Sequence, residues 1–361
     1  MSTLLPPAGA APIVTLPSTE TVHEARKRIA PHVLRTPLVE LLGPTDETAL
    51  GNSHAEEDGN GDASAPLKIY LKLENLQHTG CFKARGAFNA LLSCDAETCR
   101  NHGVITSSAG NFGQGLAWCA RNLGYSCTVV VPNSAPETKV TALKRYGADV
   151  VPVSYQEWWR TMETRSVKGI QHKHFVHPCA DSAVIAGNGT IALEILEDLP
   201  DVDAVVVPYG GGGMCAGVGA VMKEMRPQCK VFPVEVETSA PLRAACAAGK
   251  PTQCQHTPTF VDGIGGKSVL PEMWPLVTQV MEQPLAVSLE ETAAAIRSMV
   301  RVNHTVAEGA GAAPLAAAVK GLAGRGKIVA VVSGGNIDLD TLAAVLQGEI
   351  PTPGGRPTGQ E

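Results

Sequence analysis

The apolar run Val205-Val-Val-Pro208 passes through Tyr209 into four consecutive glycines, Gly210, Gly211, Gly212 and Gly213, and then into a helix-compatible stretch over 215–225. A short unbroken apolar run reads as a strand covered on both faces, as in a parallel sheet clothed by helices. Four glycines in a row lose more conformational entropy on folding than a plain strand–helix turn demands. Backbone without Cβ atoms lets N–H groups close around an anion at the positive end of the following helix. The loop therefore reads as a phosphate cradle in an α/β protein.

The same alternation runs along the whole chain. Lys68-Ile-Tyr-Leu-Lys-Leu-Glu74 alternates polar and apolar residues, as a half-buried strand does. Apolar β-rich runs follow at 104–105, 128–131, 150–153, 204–207, 231–236 and 328–332, with helix-compatible stretches such as 115–123 and 191–196 between them. This pattern predicts parallel sheets flanked by helices. Thr21 and Glu24 have capping-box spacing, and a short amphipathic helix is expected from there toward Ile29. The 361 residues leave room for two domains at ~150 residues each. No repeat of fixed period is present, and the tail from Pro351 is expected to fray.

Charge narrows the partners. The formal net charge of −6 arises from 29 basic and 35 acidic residues, and it is concentrated in one place. Residues 45–66 hold Asp46, Glu47, Glu56, Glu57, Asp58 and Asp62, with no Lys or Arg. Without them the remainder is formally neutral. This segment lacks EF-hand spacing and reads as a solvated loop. Clustered positive charge is missing, so no nucleic acid is expected. No apolar run reaches the ~18 residues of a membrane span. The first basic residue, Arg26, stands behind a Pro-rich opening, and neither a secretory nor a transit peptide is read. Ten cysteines include no Cys-x-x-Cys pair, the closest spacing being Cys94 to Cys99. Reduced thiols in a cytoplasmic protein are expected. His172, His174 and His177 fit no standard zinc spacing.

Nucleotide readings compete for the glycine loop. Gly211-x-Gly213-x-x-Ala216 satisfies a loose dinucleotide fingerprint, with Glu235 or Glu237 at about the right distance for a ribose contact. Gly265-Gly-Lys-Ser268 ends like a nucleoside-triphosphate loop but has Val261 where glycine is required. A lysine points elsewhere. In Glu74-Asn-Leu-Gln-His-Thr-Gly-Cys-Phe-Lys83-Ala-Arg-Gly-Ala87, Lys83 stands between a Gly/Phe approach and a helix start rich in small residues. A lysine near an apolar ring and a helix N-terminus is pushed toward the neutral amine that forms a Schiff base. Taken alone it would read as a surface lysine opening a helix.

With its surroundings, the chain resembles the fold-type II pyridoxal-phosphate enzymes, in particular their serine/threonine dehydratase (ammonia-lyase) and serine racemase branch. Four elements in order carry the resemblance: Thr79-Gly-Cys-Phe-Lys83-Ala-Arg-Gly86, Ser108-Ala-Gly-Asn-Phe-Gly-Gln114, the glycines 210–213, and Ser333-Gly-Gly-Asn336. His177-Pro178 followed by Gly187-Asn-Gly-Thr190, and Glu308-Gly-Ala-Gly311, support it. The dinucleotide reading accounts for only one of the four. The resemblance implies a two-domain, tryptophan synthase beta-like α/β fold with parallel or mixed sheets. Residues 1–102 and 179–361 would form the large cofactor-binding domain, with 45–66 as an inserted acidic loop. Residues 103–178 would form a small mobile domain that closes over the substrate.

The resemblance also implies pyridoxal 5'-phosphate as cofactor. Lys83 would carry it as a Schiff base and afterwards take the Cα proton. Phe82 would lie on one face of the pyridine ring and Gly263 on the other. Gly210, Gly211, Gly212 and Gly213 would hold the phosphate, and Asn111 would hydrogen-bond the 3′ oxygen. Ser108 and the backbone of Ala109, Gly110, Asn111 and Phe112 would receive the substrate carboxylate. Ser333 would face the pyridine nitrogen, where a hydroxyl cannot hold a pyridinium as a carboxylate does; the poorer electron sink favours prompt loss of a β-leaving group. Arg160 falls where some relatives place a substrate-contacting arginine, a solvated helix face being the plainer account. Glu308 either stands near the cofactor or caps a helix. Glu235 matches the first acidic ligand of a monovalent or divalent cation site whose later ligand falls near Pro241, which offers no side-chain donor.

The expected reaction removes water from a β-hydroxy amino acid of the L-serine/L-threonine type, giving a 2-oxo acid and ammonia. Ala84 and the four glycines replace the Asp and Gly-Thr-Gly-Gly-Thr loop of the cysteine-synthase branch, which disfavours β-replacement. Ala109 stands where racemases have a serine as second acid/base, which disfavours racemisation. Serine racemase is the alternative. A second is a dehydratase for a bulkier substrate such as phenylserine or 3-hydroxyaspartate, with Tyr155, Trp158 and Trp159 as an apolar mouth or as ordinary packing. A catalytically silent cofactor-binding protein is the alternative from another class. The expected partner is a small amino acid, with no membrane and no nucleic acid, and the expected assembly a homodimer. Isoleucine control through a C-terminal regulatory domain is not expected.

Overall fold

A computed structural model describes residues 13–42, 66–170 and 173–352. His172, nearly all of the acidic segment 45–66 and the tail beyond residue 352 lie outside the described residues. In chain order, α1 (Thr19–Ile29) and β1 (Leu38–Glu40) precede β2 (Lys68–Leu73), α2 (Lys83–Ser93) and α3 (Ala96–His102). Next come β3 (Val104–Ser107), α4 (Asn111–Asn122), β4 (Cys127–Pro132), α5 (Glu137–Arg145), β5 (Ala148–Val153), α6 (Tyr155–Thr164) and β6 (His174–Phe175). The chain continues through α7 (Ser182–Asp198), β7 (Ala204–Pro208), α8 (Gly213–Met225), β8 (Lys230–Val236) and α9 (Pro241–Ala248). It then forms α10 (Trp274–Val280), β9 (Leu285–Val287), α11 (Leu289–Val302), α12 (Gly309–Val319), β10 (Lys327–Val332) and α13 (Leu339–Leu346).

The strands form two sheets, ordered β1-β2-β10-β7-β8-β9 and β5-β4-β3-β6. All neighbours are parallel except β1, which runs antiparallel to β2. The α/β expectation therefore holds in both parallel and mixed form. In β7 every residue is buried, as its unbroken apolar run requires. Alternation sorts the side chains: Ala204 and Val206 join the core under α11 and α12, while Val205 and Val207 join the core under α7 and α8. The second sheet shares its core with α2 and α4 through Ala84, Phe88, Leu116, Val104 and Val129.

Two local expectations need correction. The strand β2 is half-buried only at its start: Lys68 is exposed, whereas Lys72 and, just beyond the strand, Glu74 are fully buried. Both are paired from within. Arg85 donates to Glu74 Oε2 and Oε1 at 2.8 Å each, and to Glu194 Oε1 and Oε2 at 2.6 and 2.8 Å. Lys72 Nζ donates to Glu194 and to the Thr36 carbonyl, the latter at 2.7 Å. Two cations thus meet two anions, and loss of one member would strand a buried charge at about 3–5 kcal/mol. Helix α1 starts before the Thr21–Glu24 spacing, because Ser18 serves as N-cap and accepts from the Thr21 N–H. A capping box forms instead at Ser288 and Glu291. The turn from α2 into α3 brings Cys94 and Cys99 near one another, with Cα atoms 7.3 Å apart, wider than a relaxed disulfide spans, and the other eight cysteines are free.

Helices α2, α7 and α8 stack through glycines. A Cβ on Gly187 would lie 2.5 Å from the Arg85 carbonyl, and one on Gly217 would lie 2.4 Å from the Ile185 carbonyl. Only glycine allows backbones this close. The motif Gly187-Asn-Gly-Thr190 is thus a packing joint. It sets the lysine-bearing helix at a fixed distance from the helix that follows the glycine loop.

Candidate active site

Lys83 opens α2, directly after the β2 edge and a tight segment in which Thr79 and Gly80 both adopt positive φ (63° and 72°). Its Nζ lies over the Phe82 ring, 4.7 Å from the centroid, and 5.7 Å from that of Phe112. Burial of the ammonium lowers its pKa, and nearby Cys179, Cys81 and Glu308 oppose that shift only in part. The result favours a neutral amine, which is the nucleophilic and basic form. Helix α4 comes close to the lysine stem: a Cβ on Gly115 would stand 3.3 Å from that of Lys83.

Three loops meet around this amine. The Ser333 loop is fastened to the lysine segment, for Phe82 N–H donates to the Ser333 carbonyl at 3.0 Å and Gly335 N–H to the Gly80 carbonyl at 2.9 Å. The asparagine loop enters through Asn111, whose Nδ2 donates to Glu308 Oε1 at 2.8 Å and whose Oδ1 accepts from Asn336 Nδ2 at 2.9 Å. The glycine loop lies against Cys179, since a Cβ on Gly211 would fall 2.3 Å from its Sγ and one on Gly213 would fall 3.0 Å from its Cα. Cys179 is itself close enough to Lys83 to influence its titration. On the loop's other side, a Cβ on Gly210 would meet the Gly263 carbonyl at 3.3 Å. Lys83, Asn111, the glycines 210–213, Gly263 and Ser333 therefore converge.

Some residues take roles that their spacing did not reveal. Glu308 stands at the N-cap position of α12 but makes no capping bond there; its carboxylate turns to Asn111 instead. Burial pushes that carboxyl up to about 7. His177 is fully buried, and its Nδ1 accepts from the backbone N–H groups of Cys179 and Ala180 at 3.2 and 2.7 Å. Burial lowers its pKa to about 3. Cys179 gave no sequence signal as a site residue, because a thiol in an apolar stretch reads as a small hydrophobe.

Other expected residues lie elsewhere. Arg160 is exposed on α6 and pairs with Glu157 one turn back, so the solvated-face account describes its position. Glu235 is not arranged as a cation ligand. Its two oxygens accept from the Leu242 and Arg243 N–H groups at 2.7 and 2.9 Å, capping α9. No group of three or more His, Cys, Asp or Glu suited to a metal ion occurs among the described residues. Trp158 packs on the cluster of Ile105, Val130 and Val167, and Trp159 bonds Glu163, which is ordinary packing. Tyr155 is exposed, with Lys267 5.6 Å from its ring centroid.

The chemistry of these groups fits a phosphorylated pyridine aldehyde. An amine with a lowered pKa suits the aldehyde, and an amide nitrogen suits a phenolic oxygen. The first N–H groups of α8 have no partner within the helix, and Gly212 precedes them at φ 85°, so they offer donors to a phosphate. At Gly110 a Cβ would meet nothing within 4 Å, so the asparagine loop faces open space there.

The family described as pyridoxal-phosphate dependent enzyme matches residues 29–334. The L-threonine ammonia-lyase of Thermotoga maritima is 41% identical over 286 residues, which cover 77% of this chain and 70% of that protein. Among solved structures, maize serine racemase is similar with a TM-score of 0.79 at 28% identity, covering 92% of this chain and 98% of the other. A threonine deaminase from T.th. is similar with a TM-score of 0.77 at 31% identity, covering 90% and 99%.

Proposed function

Since the chain belongs to the pyridoxal-phosphate dependent enzyme family, we propose that it is an ammonia-lyase removing water from L-threonine or L-serine to leave a 2-oxo acid and ammonia. The observation that carries this reading is the Lys83 amine, half-buried beside Phe82 and Phe112 with its pKa lowered, and flanked by the loops of Asn111, Ser333 and the glycines. When bound, pyridoxal phosphate supplies the electron sink that makes a Cα–H bond acidic. Lys83 would hold the cofactor through Nζ, Phe82 and Gly263 would flank its ring, and the backbone N–H groups of residues 210–213 would hold its phosphate. Asn111 would donate to its phenolic oxygen and Ser333 would face its ring nitrogen.

The protein's own part is to bind, orient and move protons. Ser108 and the N–H groups of residues 109–112 lie at the start of α4, where a substrate carboxylate finds donors and a favourable helix end. The neutral Lys83 amine takes the Cα proton. As an ammonium with a lowered pKa it is a good acid for the departing hydroxyl. Residues 103–178 would close over the substrate and expel water. A homodimeric assembly and residence in the cytoplasm belong to the same reading and rest on the resemblance alone. Ala109 favours elimination over racemisation, as no side-chain hydroxyl stands there.

Purified holoprotein should be trapped by borohydride at Lys83 and should release ammonia and 2-oxo acid from L-threonine or L-serine. A Lys83→Ala protein that kept full turnover would refute the mechanism. Appreciable D-serine after incubation with L-serine would overturn the part assigned to Ala109.

A further inference from the structure

Asn336 closes the motif Ser333-Gly-Gly-Asn336 and has no part in the reading above, yet it makes two contacts at the site. Its Nδ2 donates to the Thr79 carbonyl at 2.8 Å and to Asn111 Oδ1 at 2.9 Å. A backbone carbonyl can only accept, so the atom of Asn336 facing Thr79 is its nitrogen. The same nitrogen presents its other N–H to Asn111 and requires an acceptor there. That requirement turns the Asn111 oxygen toward Asn336 and the Asn111 nitrogen away from it, toward Glu308 Oε1 at 2.8 Å. The two amide orientations, which geometry alone would leave interchangeable, follow from a backbone group that cannot rotate.

The anchor is firmly built. Thr79 and Gly80 occupy the left-handed region, Gly80 N–H donates to the Gln77 carbonyl at 2.9 Å, and its own carbonyl receives the Gly335 N–H at 2.9 Å. A Cβ on Gly80 would lie 2.5 Å from Asn336 Oδ1, so the glycine also makes room for the amide. Asn336 follows the β10 strand of the six-stranded sheet, while Asn111 opens the helix after β3 of the four-stranded one. The contact therefore joins the two halves of the site. Of the two N–H groups on Asn111 Nδ2, Glu308 takes one.

We propose that Asn336 is a positioning residue that holds the Asn111 amide with its nitrogen, rather than its oxygen, available to the phenolic oxygen of the bound cofactor. The proposal rests on the assignment of Asn111 to that oxygen. Were the amide reversed, a carbonyl would face the phenolic oxygen, and attraction would become repulsion.

The test compares holoproteins of the unaltered chain, Asn336→Asp, Asn336→Ala and Asn111→Ala without substrate. Two quantities are read: the absorption spectrum of the bound cofactor across pH, and the dissociation constant for pyridoxal phosphate. Ionised aspartate has no donor for Thr79 or for the Asn111 oxygen, so N336D should shift the cofactor spectrum in the same direction as N111A. It should also weaken cofactor binding about fivefold, the scale of one hydrogen bond. N336A should shift the spectrum less, and the N111A/N336D pair should be no worse than N111A alone. If N111A shifts the spectrum and N336D and N336A do not, the positioning role is overturned while the Asn111 assignment stands. If N111A leaves the spectrum unchanged, that assignment fails first. Additive losses in the double variant would also overturn the proposal, because Asn336 would then act independently of Asn111.

Discussion

Replacing Gly211 by alanine asks whether the glycine loop is held against Cys179 and whether that contact matters for the phosphate. The new Cβ would lie 2.3 Å from Cys179 Sγ and 2.9 Å from its Cβ. Ordinary carbon contacts are about 3.5–4.0 Å. Rotating the thiol relieves the first clash but not the second, and the Cys179 backbone is tied through its N–H to His177 Nδ1. The loop must therefore move. Overpacking of this kind costs about 2 kcal/mol. In the free protein the loop can relax outward, but around a phosphate it cannot, so the cost appears in binding. The expected result is about thirtyfold weaker pyridoxal phosphate binding, read by titrating apoprotein and following cofactor absorbance. Cys179→Ala in the same chain should recover part of the loss, and Cys179→Gly most of it. Unchanged affinity in G211A would refute the reasoning, as would failure of C179G to restore binding when thermal unfolding shows both proteins folded.

Gly110→Ala has open space for its methyl group, so fold and cofactor affinity should be kept. If the residue 109–112 backbone receives the substrate carboxylate, KM for the amino acid should rise while the cofactor spectrum stays put; an unchanged KM would remove Gly110 from the carboxylate site. Glu308→Gln addresses stability against pH. The folded carboxyl titrates near 7 rather than at its ordinary 4.5, so its contribution is full below about pH 4.5 and is lost as pH rises through 7. The variant should therefore be more stable than the unaltered protein above pH 7, by about 3 kcal/mol, with no gain at pH 4. Denaturant unfolding at pH 4 and 8 measures this, and equal differences at both pH values would contradict it. Glu235, also pushed up to about 7, leaves a residual slope of the same sign in both proteins.

Legibility followed the length scale of the signal. The β7 strand and its glycines were readable because an unbroken apolar run and four missing Cβ atoms are local facts. Lys83, Asn111 and Ser333 were readable because motif order encodes their convergence. Pairing across the fold was not. The alternation of Lys68, Tyr70, Lys72 and Glu74 looks like a solvated face, and only the return of Arg85 and Glu194 from α2 and α7 makes burial of Lys72 and Glu74 affordable. Glu235 looked like a metal ligand because its use as a cap for α9 depends on a turn seven residues away. Asn336 stands within a motif, yet the partner that defines its role is a carbonyl 257 residues earlier. At the N-cap of α1 two residues compete locally, since Ser18 offers the same chemistry as Thr21 three residues sooner.

The position of β10 between β2 and β7 also dictates an order of events during synthesis. The four-stranded sheet uses strands from residues 104–175 only, so a nascent chain can assemble it while translation continues. The β2 strand must wait for residues 327–332 before its inner edge is covered. Until then it presents unpaired N–H and C=O groups, the kind of edge that recruits other chains. The lysine that defines the site sits just beyond that waiting edge. If Lys83 carries the cofactor, its capture should be a late step: a ribosome-bound fragment lacking β10 has the amine but not the Ser333 carbonyl that fastens its neighbour Phe82. Stalled or prematurely released chains should consequently aggregate as colourless species, and the appearance of bound cofactor should mark completion of the polypeptide.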